Sequence, residues 1–476
     1  MSKKRLTRRD FLRLGALTAA GTALAACCPA EPEEVVITQV VKEEGETIVV
    51  TEVVQQEVTT EAPAAEPVTV EFLAWLDPAD KPAYEALRDT WNERSTDIEV
   101  QLTIPADNFY AKLETMVAGG APPDLSQFQS WEWQPFADKA ILIPLDDYIE
   151  QDDHTAPFPD TPAMDKMTRR EGKRWIVPYE HPTMVMFYLK KPFDEAGIPY
   201  PTGDWTMEEF LDIAEQLTDT SGDVKKFGYQ ANGNWFRDMQ WFRSTGKKEF
   251  DQLVDPTTAQ FNQPEMAEII QIVAGDVYRS PKISPSPADL EGGANTIQNG
   301  NTAMKYEGPW FFSQINSPEL QADGKGFEFD LCLMPKVEPY DFTYYRALSS
   351  GHGILDTDNK DASWKFLYWA TGEEGEKIFT GINGRVPNTF DLIENFWGPT
   401  VEEKFGVQNY DVVVEALKFA DVDVIGGVPR RQMWNEVVKP VGWDPLIAGT
   451  ATAEEVLPEV DAGVQEMLDE YWAEQG

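Results

Sequence analysis

The sequence predicts an α/β fold built on a parallel sheet with helical crossovers. Three observations carry that expectation. The chain has 476 residues, enough for roughly two to four structural units. Its composition, 42% hydrophobic and 26% charged, is that of an ordinary soluble globular protein with a large core. From Pro67 onward, stretches that alternate with period two give way repeatedly to stretches with helical spacing.

The elements follow in order. Val68, Val70, Phe72 and Ala74 alternate with Thr69, Glu71 and Leu73, a strand running to Trp75. Lys81–Arg94 spaces Tyr84, Leu87 and Trp91 by three and four residues, which predicts a helix. Ile98–Ile104 alternates again as a strand. Asn108 is placed to cap a helix over Phe109–Ala118, which stops at Gly119 and Gly120, and Asp124–Phe128 is a short strand. This strand–helix–strand–helix–strand order implies a parallel sheet with helical crossovers. Further on, Val185–Leu189 is a near-continuous apolar strand, and Thr206 with Glu209 forms a capping box opening the helix Met207–Leu217. Ala362–Ala370 is an aromatic-rich helix, and Thr452 with Glu455 caps a final helix reaching Trp472. No internal repeat has the period of a solenoid or propeller.

The N-terminus reads as an address and an anchor. Lys3, Lys4, Arg5, Arg8, Arg9 and Arg13 precede an apolar run, Leu14–Ala26. A bilayer takes about 20 apolar residues to span, so this run is an export signal rather than a transmembrane helix. Thr7-Arg8-Arg9-Asp10-Phe11-Leu12 matches the twin-arginine pattern, and Leu24-Ala25-Ala26-Cys27 resembles a lipobox. Residues 1–26 are therefore the expected signal peptide and Cys27 the lipidated residue. Residues 27–66 carry Glu, Val, Thr and Pro and no aromatic residue, the composition of a tether without fixed structure. The Val-Val pairs there leave a transient strand open.

Composition also excludes function classes. A formal charge of −42, with 82 Asp+Glu against 40 Lys+Arg, argues against nucleic acid and against docking of the folded body on an anionic membrane. His154, His181 and His352 lie far apart, with no HExxH or CxxC spacing, so no metal and no cofactor is expected. There is no GxSxG elbow and no phosphate-binding GxxxxGK[ST] loop. Asp421-Val-Asp423-Val-Ile-Gly426 begins like a calcium loop but has Ile425 where an oxygen ligand belongs. Asp356, Asp358 and Asp361 read as a solvated turn. Cys332, in the apolar stretch Phe329–Met334, reads as a buried small residue.

Several segments, in order, resemble one family. Trp75-Leu76-Asp77 closes the first strand. Phe109 through Asp124 looks like a helix and glycine turn before a Pro-Asp strand. Ile143-Pro144-Leu145-Asp146-Asp147-Tyr148 resembles a "PLDDY" segment. Lys173–Tyr179 through Tyr188 and Gly197 resembles a second stretch, with Leu189 where the family has Asn. Met304–Trp310 carries a Gly-Pro-Trp motif, and Asn359–Leu367 and Gly384–Asn388 match segments nearer the C-terminus. The body from about 67 to 470 is thus similar to the family 1 extracellular solute-binding proteins, the sugar-binding lipoproteins of ABC importers related to maltose-binding protein.

That resemblance implies the type II two-lobe periplasmic-binding-protein fold, with hinge strands joining the lobes and the ligand cleft between them. It sets lobe one at 67–182 plus 347–388 and lobe two at 183–346 plus 389–476. It implies a monomeric carrier that captures a mono- or oligosaccharide by hinge closure and delivers it to ABC permease transmembrane subunits from the outer face of the cytoplasmic membrane. A surface-anchored glycoside hydrolase and a ligand sensor for a receptor kinase are the competing readings, but no acid lies in a recognisable catalytic motif. Sugars also account for the 15 Trp: a pyranose stacks its C–H face on indole while planar polar groups bind its hydroxyl rim. The candidate contacts are Trp75, Asp77, Gln129, Trp131, Glu132, Glu180, His181, Trp235 in an Asn-Gly-Asn loop, Trp310 and Trp434. Trp364 and Trp369 are assigned to the core, and Glu307 to local structure. His181 and Arg385 stand between hinge and ligand contact. No cationic cleft is marked in these loops, so a phosphate-bearing ligand is not expected.

Overall fold

The computed structural model describes residues 34–43, 46–55, 66–75, 80–153 and 161–475. The signal peptide, Cys27 and Asp77 lie outside the described residues. The chain divides into two units, 1–66 and 67–476. In the first, Glu34–Glu43 pairs antiparallel with Glu46–Gln55, Glu34 opposite Gln55 and Glu43 opposite Glu46. A hairpin therefore occupies part of the segment read as a tether. The β-branched Val, Ile and Thr repeated along both strands favour it.

Among the described residues the second unit holds two large sheets and two small two-stranded ones, Tyr345–Ala347 with Ala420–Val422 and Arg169–Arg170 with Lys173–Arg174. One large sheet has five strands in the order Ile98–Thr103, Val68–Leu73, Leu125–Gln129, Ser350–Ile354, Val177–Glu180. Its first three strands are parallel and joined by the helices Lys81–Arg94 and Phe109–Ala118, as the alternating pattern implies. Ser350–Ile354 enters antiparallel to both of its neighbours. Glycine lets it fit: a Cβ on Gly351 would lie 2.8 Å from the Val177 carbonyl oxygen, and one on Gly353 2.9 Å from Leu142 Cδ2. Asn108 precedes its helix but makes no side-chain cap bond, because its backbone is left-handed (φ 49°). Burial of Phe109, Tyr110 and Leu113 holds that helix instead.

The other large sheet has four strands in the order Phe227–Tyr229, Thr302–Glu307, Val185–Leu189, Phe329–Cys332. All five residues of Val185–Leu189 are buried, which explains its unbroken apolar run. The capping box of Thr206 and Glu209 forms in both directions and opens the helix Met207–Gln216. Before the helix Ala453–Gln475 the bonding is one-way at the side chains: Thr452 N–H (2.9 Å) and Oγ1 (3.0 Å) both donate to Glu455 Oε2. Cys332 and Trp364 are buried, and Trp369 is half-buried against Trp91.

Three chain crossings join the regions of the two sheets, and hydrogen bonds knit them together. His181 N–H donates to the Val386 carbonyl (3.1 Å) and Leu348 N–H to the Pro182 carbonyl (3.0 Å). Thr183 Oγ1 donates to the Arg346 carbonyl (2.9 Å), and Ser349 Oγ to that of Glu180 (3.0 Å). Among the described residues no helix is long and apolar enough to cross a membrane.

Candidate functional site

A cavity of about 300 Å³ opens against these crossings, lined by strand ends of the five-stranded sheet and by helices and turns beside the four-stranded one. On the five-stranded side the first strand runs out at Trp75. Its N–H donates to Gln127 Oε1 (2.7 Å), and its ring packs on Phe109 and Tyr110, with centroids 5.4 and 5.9 Å away. The strand Leu125–Gln129 supplies Gln127 and Gln129, and Gln127 donates to the Tyr179 hydroxyl. Asp80 immediately precedes the helix Lys81–Arg94, and its carbonyl accepts from Tyr84 N–H (3.0 Å). Arg385, on the third crossing, forks onto this carboxylate through Nε (2.9 Å) and Nη2 (2.6 Å), while Nη1 reaches Glu180 Oε2 (3.3 Å). Burial opposes the charge on Arg385, but Asp80 and Glu180 outweigh it and hold its pKa well above the usual value.

On the four-stranded side, Thr302–Glu307 ends in Gly308-Pro309-Trp310. Glu307 Oε1 accepts from Trp310 Nε1 (2.9 Å), Arg237 Nη1 (2.6 Å) and Gly308 N–H (3.2 Å). Gly308 is needed for space: a Cβ there would lie 2.2 Å from Trp310 Cη2. The indole therefore folds back over the strand end, its N–H committed and its half-buried ring on the cavity wall. Asn234 caps the helix Trp235–Arg243 by accepting from Arg237 N–H (3.1 Å), and the first turn brings Phe236 and Arg237 to the cavity. Arg346, from the strand Tyr345–Ala347, and Arg430, from the short helix Arg430–Met433, converge on Asp423 Oδ2. The Arg430 guanidinium lies 4.2 Å from the Trp131 ring and 4.0 Å from that of Phe236. The cavity thus combines aromatic faces with fixed planar hydrogen-bonding groups. That set can stack a ring, donate to its rim and accept from it.

Of the residues expected from sequence, Trp75, Gln129, Trp131, Glu180 and Trp310 line the cavity together. Glu132 turns into a neighbouring crevice, where Arg431 Nη2 lies 3.4 Å from Oε1. Burial raises its pKa against the pull of Arg431 and Arg430. His181 is buried within the crossing and does not line the cavity; burial pushes its imidazole down to about 4. Trp434 packs tilted behind Phe236, centroids 5.3 Å apart, one layer outside the wall.

Trp235 corrects the sequence reading. Asn234 is a helix cap rather than part of a loop, so Trp235 starts a helix on its inward side. It is fully buried, against Phe250 and Phe261, with its Nε1 donating to Glu249 Oε1 (3.1 Å).

Sequence reasoning missed Asp80, Gln127, Tyr179, Phe236, Arg346 and Arg430, and it left Arg385 undecided; all line the cavity. Arg237 lines it as well. The four arginines differ from the sequence reading, in which no cationic cleft is marked in the candidate loops. They come from positions 237, 346, 385 and 430, which no spacing rule connects. The one local signal was the Gly384-Arg385-Val386-Pro387 turn.

The profile of the family described as bacterial extracellular solute-binding protein matches residues 74–377. The chain belongs to that family. Its sequence is 22% identical over 301 residues to the maltotriose-binding protein of Pyrococcus abyssi, covering 62% of this chain and 61% of that one. The chain thus spans about six-tenths of that relative's length. It is also 22% identical over 405 residues to the arabinooligosaccharide-binding protein of Halalkalibacterium halodurans, covering 79% of this chain and 84% of that one. Among solved structures, an ABC substrate-binding protein of Listeria monocytogenes in complex with cycloalternan superposes with a TM-score of 0.72 at 24% identity, over 85% of this chain and 99% of that one. The maltose/maltodextrin-binding domain of Bdellovibrio bacteriovorus bound to maltotriose gives 0.67 at 16%, with the same coverage. At such identities the likeness gives the fold: this solute-binding protein has the type II two-lobe architecture.

Proposed function

We propose that this solute-binding protein captures a mono- or oligosaccharide by hinge closure and hands it to the transmembrane subunits of an ABC importer, with no chemistry of its own. The observation that carries the reading is the cavity against the crossings, where Trp75, Trp131 and Trp310 are set among Gln127, Gln129, Glu180 and the arginines. A sugar needs both: an apolar face to stack on and planar polar groups for its rim. Relatives named for maltotriose and arabinooligosaccharide support the ligand class.

In this reading lobe one is 67–182 plus 347–388 and lobe two is 183–346 plus 389–476, with the crossings as the hinge. The protein is an exported monomer held by diacylglycerol on Cys27, after removal of the twin-arginine signal, at the outer face of the cytoplasmic membrane. Asp77, which follows Trp75, joins the acceptors for sugar hydroxyls. Calorimetric titration against mono- and oligosaccharides, with amino acids as controls, tests the ligand class. Saturable binding of a saccharide supports it; binding of an amino acid and of no saccharide overturns it.

A further inference from the structure

Asp423 is a single carboxylate serving two buried guanidiniums: Arg346 Nη2 at 2.5 Å and Arg430 Nη1. The neighbouring charges leave this imbalance in place. Arg237 is matched by Glu307 (2.6 Å), Arg243 by Glu249 (2.6 Å), and Arg431 by Glu132 (3.4 Å). Arg237 and Arg243 are thus matched one to one, while Glu132 acts on Arg430 as well as Arg431; three guanidiniums, Arg346, Arg430 and Arg431, face two carboxylates, Asp423 and Glu132, and the wall keeps a surplus positive charge.

The same wall holds unused donors. Arg346 Nε, Arg430 Nε and Trp131 Nε1 are buried and have no hydrogen-bond partner among the described residues. Arg346 and Arg430 are only 4% and 9% exposed, yet both line the cavity. The three groups are contiguous, since the two guanidiniums lie 5.4 and 4.2 Å from the Trp131 ring. Burial pushes the Arg346 pKa down to about 10. Burial and then the proximity of Arg346 hold that of Arg430 far below its usual value. A buried cation without a full counter-charge is costly unless something supplies the missing negative charge.

We propose that the wall formed by Arg346, Arg430 and Trp131 receives an anionic substituent of the sugar, so that the ligand is an acidic saccharide. This rests on the carbohydrate-binding reading above. Guanidinium forks present parallel N–H donors that match carboxylate and phosphate oxygens, and a lysine would not offer that geometry. On the other side of the cavity, Asp80 and Glu180 crowd Arg385 and would repel an anion. The two sides together fix the ligand's direction, with the hydroxyl rim toward Asp80 and Glu180 and the charge toward Arg430.

The test is calorimetric titration of the full chain with matched pairs: a neutral oligosaccharide and its uronate counterpart, and a neutral sugar and its phosphate ester. The acidic member of at least one pair should bind about tenfold tighter or better, a difference of about 1.4 kcal/mol. That preference should shrink as salt is raised. Which pair shows it separates carboxylate from phosphate. Arg430→Met should abolish the preference and Arg430→Lys should keep part of it, with circular dichroism confirming that each variant folds. Should Arg430→Met fail to fold, the wild-type pairs and Arg430→Lys decide the matter. Equal or tighter binding of the neutral members overturns the inference and leaves the carbohydrate reading intact, as does a preference that survives Arg430→Met. Binding of no saccharide, acidic or neutral, overturns both.

Discussion

At the crossings, one guanidinium, Arg385, lies between two carboxylates, Asp80 and Glu180; on the four-stranded side, one carboxylate, Asp423, lies between two guanidiniums, Arg346 and Arg430. The residue types are the same and the ratio is inverted. Each arrangement is buried, so each central charge restrains its two partners where water cannot screen them. The difference shows that charge type alone does not set the character of a binding wall. What matters is which partner is in excess.

The largest expected effect tests that inversion directly. Arg385→Met leaves Asp80 and Glu180 buried without the guanidinium they share, and should cost roughly 3–5 kcal/mol of stability in urea unfolding. Arg430→Met leaves Asp423 matched one to one by Arg346. It removes chiefly the packing of a cation on Trp131 and Phe236, and should cost only about 1 kcal/mol. Equal costs for the two variants would break the comparison.

The next effect concerns the Gly-Pro-Trp corner. Gly308→Ala places a methyl group in the space held by the Trp310 ring and should destabilise by about 1–3 kcal/mol. It should also weaken saccharide binding by swinging the indole from the wall. A variant with unchanged stability and affinity would show that the ring has other room.

A further contrast sets the two sheet regions apart by pH. On the four-stranded side, burial raises the Asp238 carboxyl to about 7, so the folded state keeps a proton that the unfolded state releases at about pH 3.9. Its contribution to stability is therefore lost as pH rises between those values. On the five-stranded side, burial lowers His352 to about 3, against about 6.5 when unfolded, so its contribution is lost as pH falls through that window. Asp238→Asn should make stability rise more steeply with pH between about 4 and 7, and His352→Phe less steeply. His352→Phe should fold well, since neither ring nitrogen has a hydrogen-bond partner among the described residues and the ring packs on Tyr179 at 4.7 Å. Slopes unchanged from wild type in both variants would contradict the assignment.

The same contrast explains what the sequence made legible. The first two strands and their helices have clean periods because each buries one face, and they form where the pattern places them, as does Leu125–Gln129, which is buried along nearly its whole length. Ser350–Ile354 is an interior strand of its sheet, but its Ser-Gly-His-Gly run carries no hydrophobic pattern, because the Val177 backbone and the Leu142 and Phe128 side chains leave no room for side chains at two positions. Trp310 was legible because the motif fixes it locally through Gly308 and Glu307. Trp235 was misread because Asn-Gly-Asn signals a loop and a helix cap equally well, and only packing decides. The arginine wall was invisible for a different reason. Its two guanidiniums come from the strand Tyr345–Ala347 and the short helix Arg430–Met433, which meet only in the folded chain, and sequence spacing carries no trace of that.

The central claim is that a saccharide binds in this cavity against the aromatic wall. Tryptophan-fluorescence titration of the wild type and of Trp310→Ala with the same saccharide tests it most directly. The account predicts a saturable change in the wild type and an affinity lower by about 2 kcal/mol, roughly thirtyfold, in the variant; equal affinity in the two proteins would place the ligand elsewhere and contradict it.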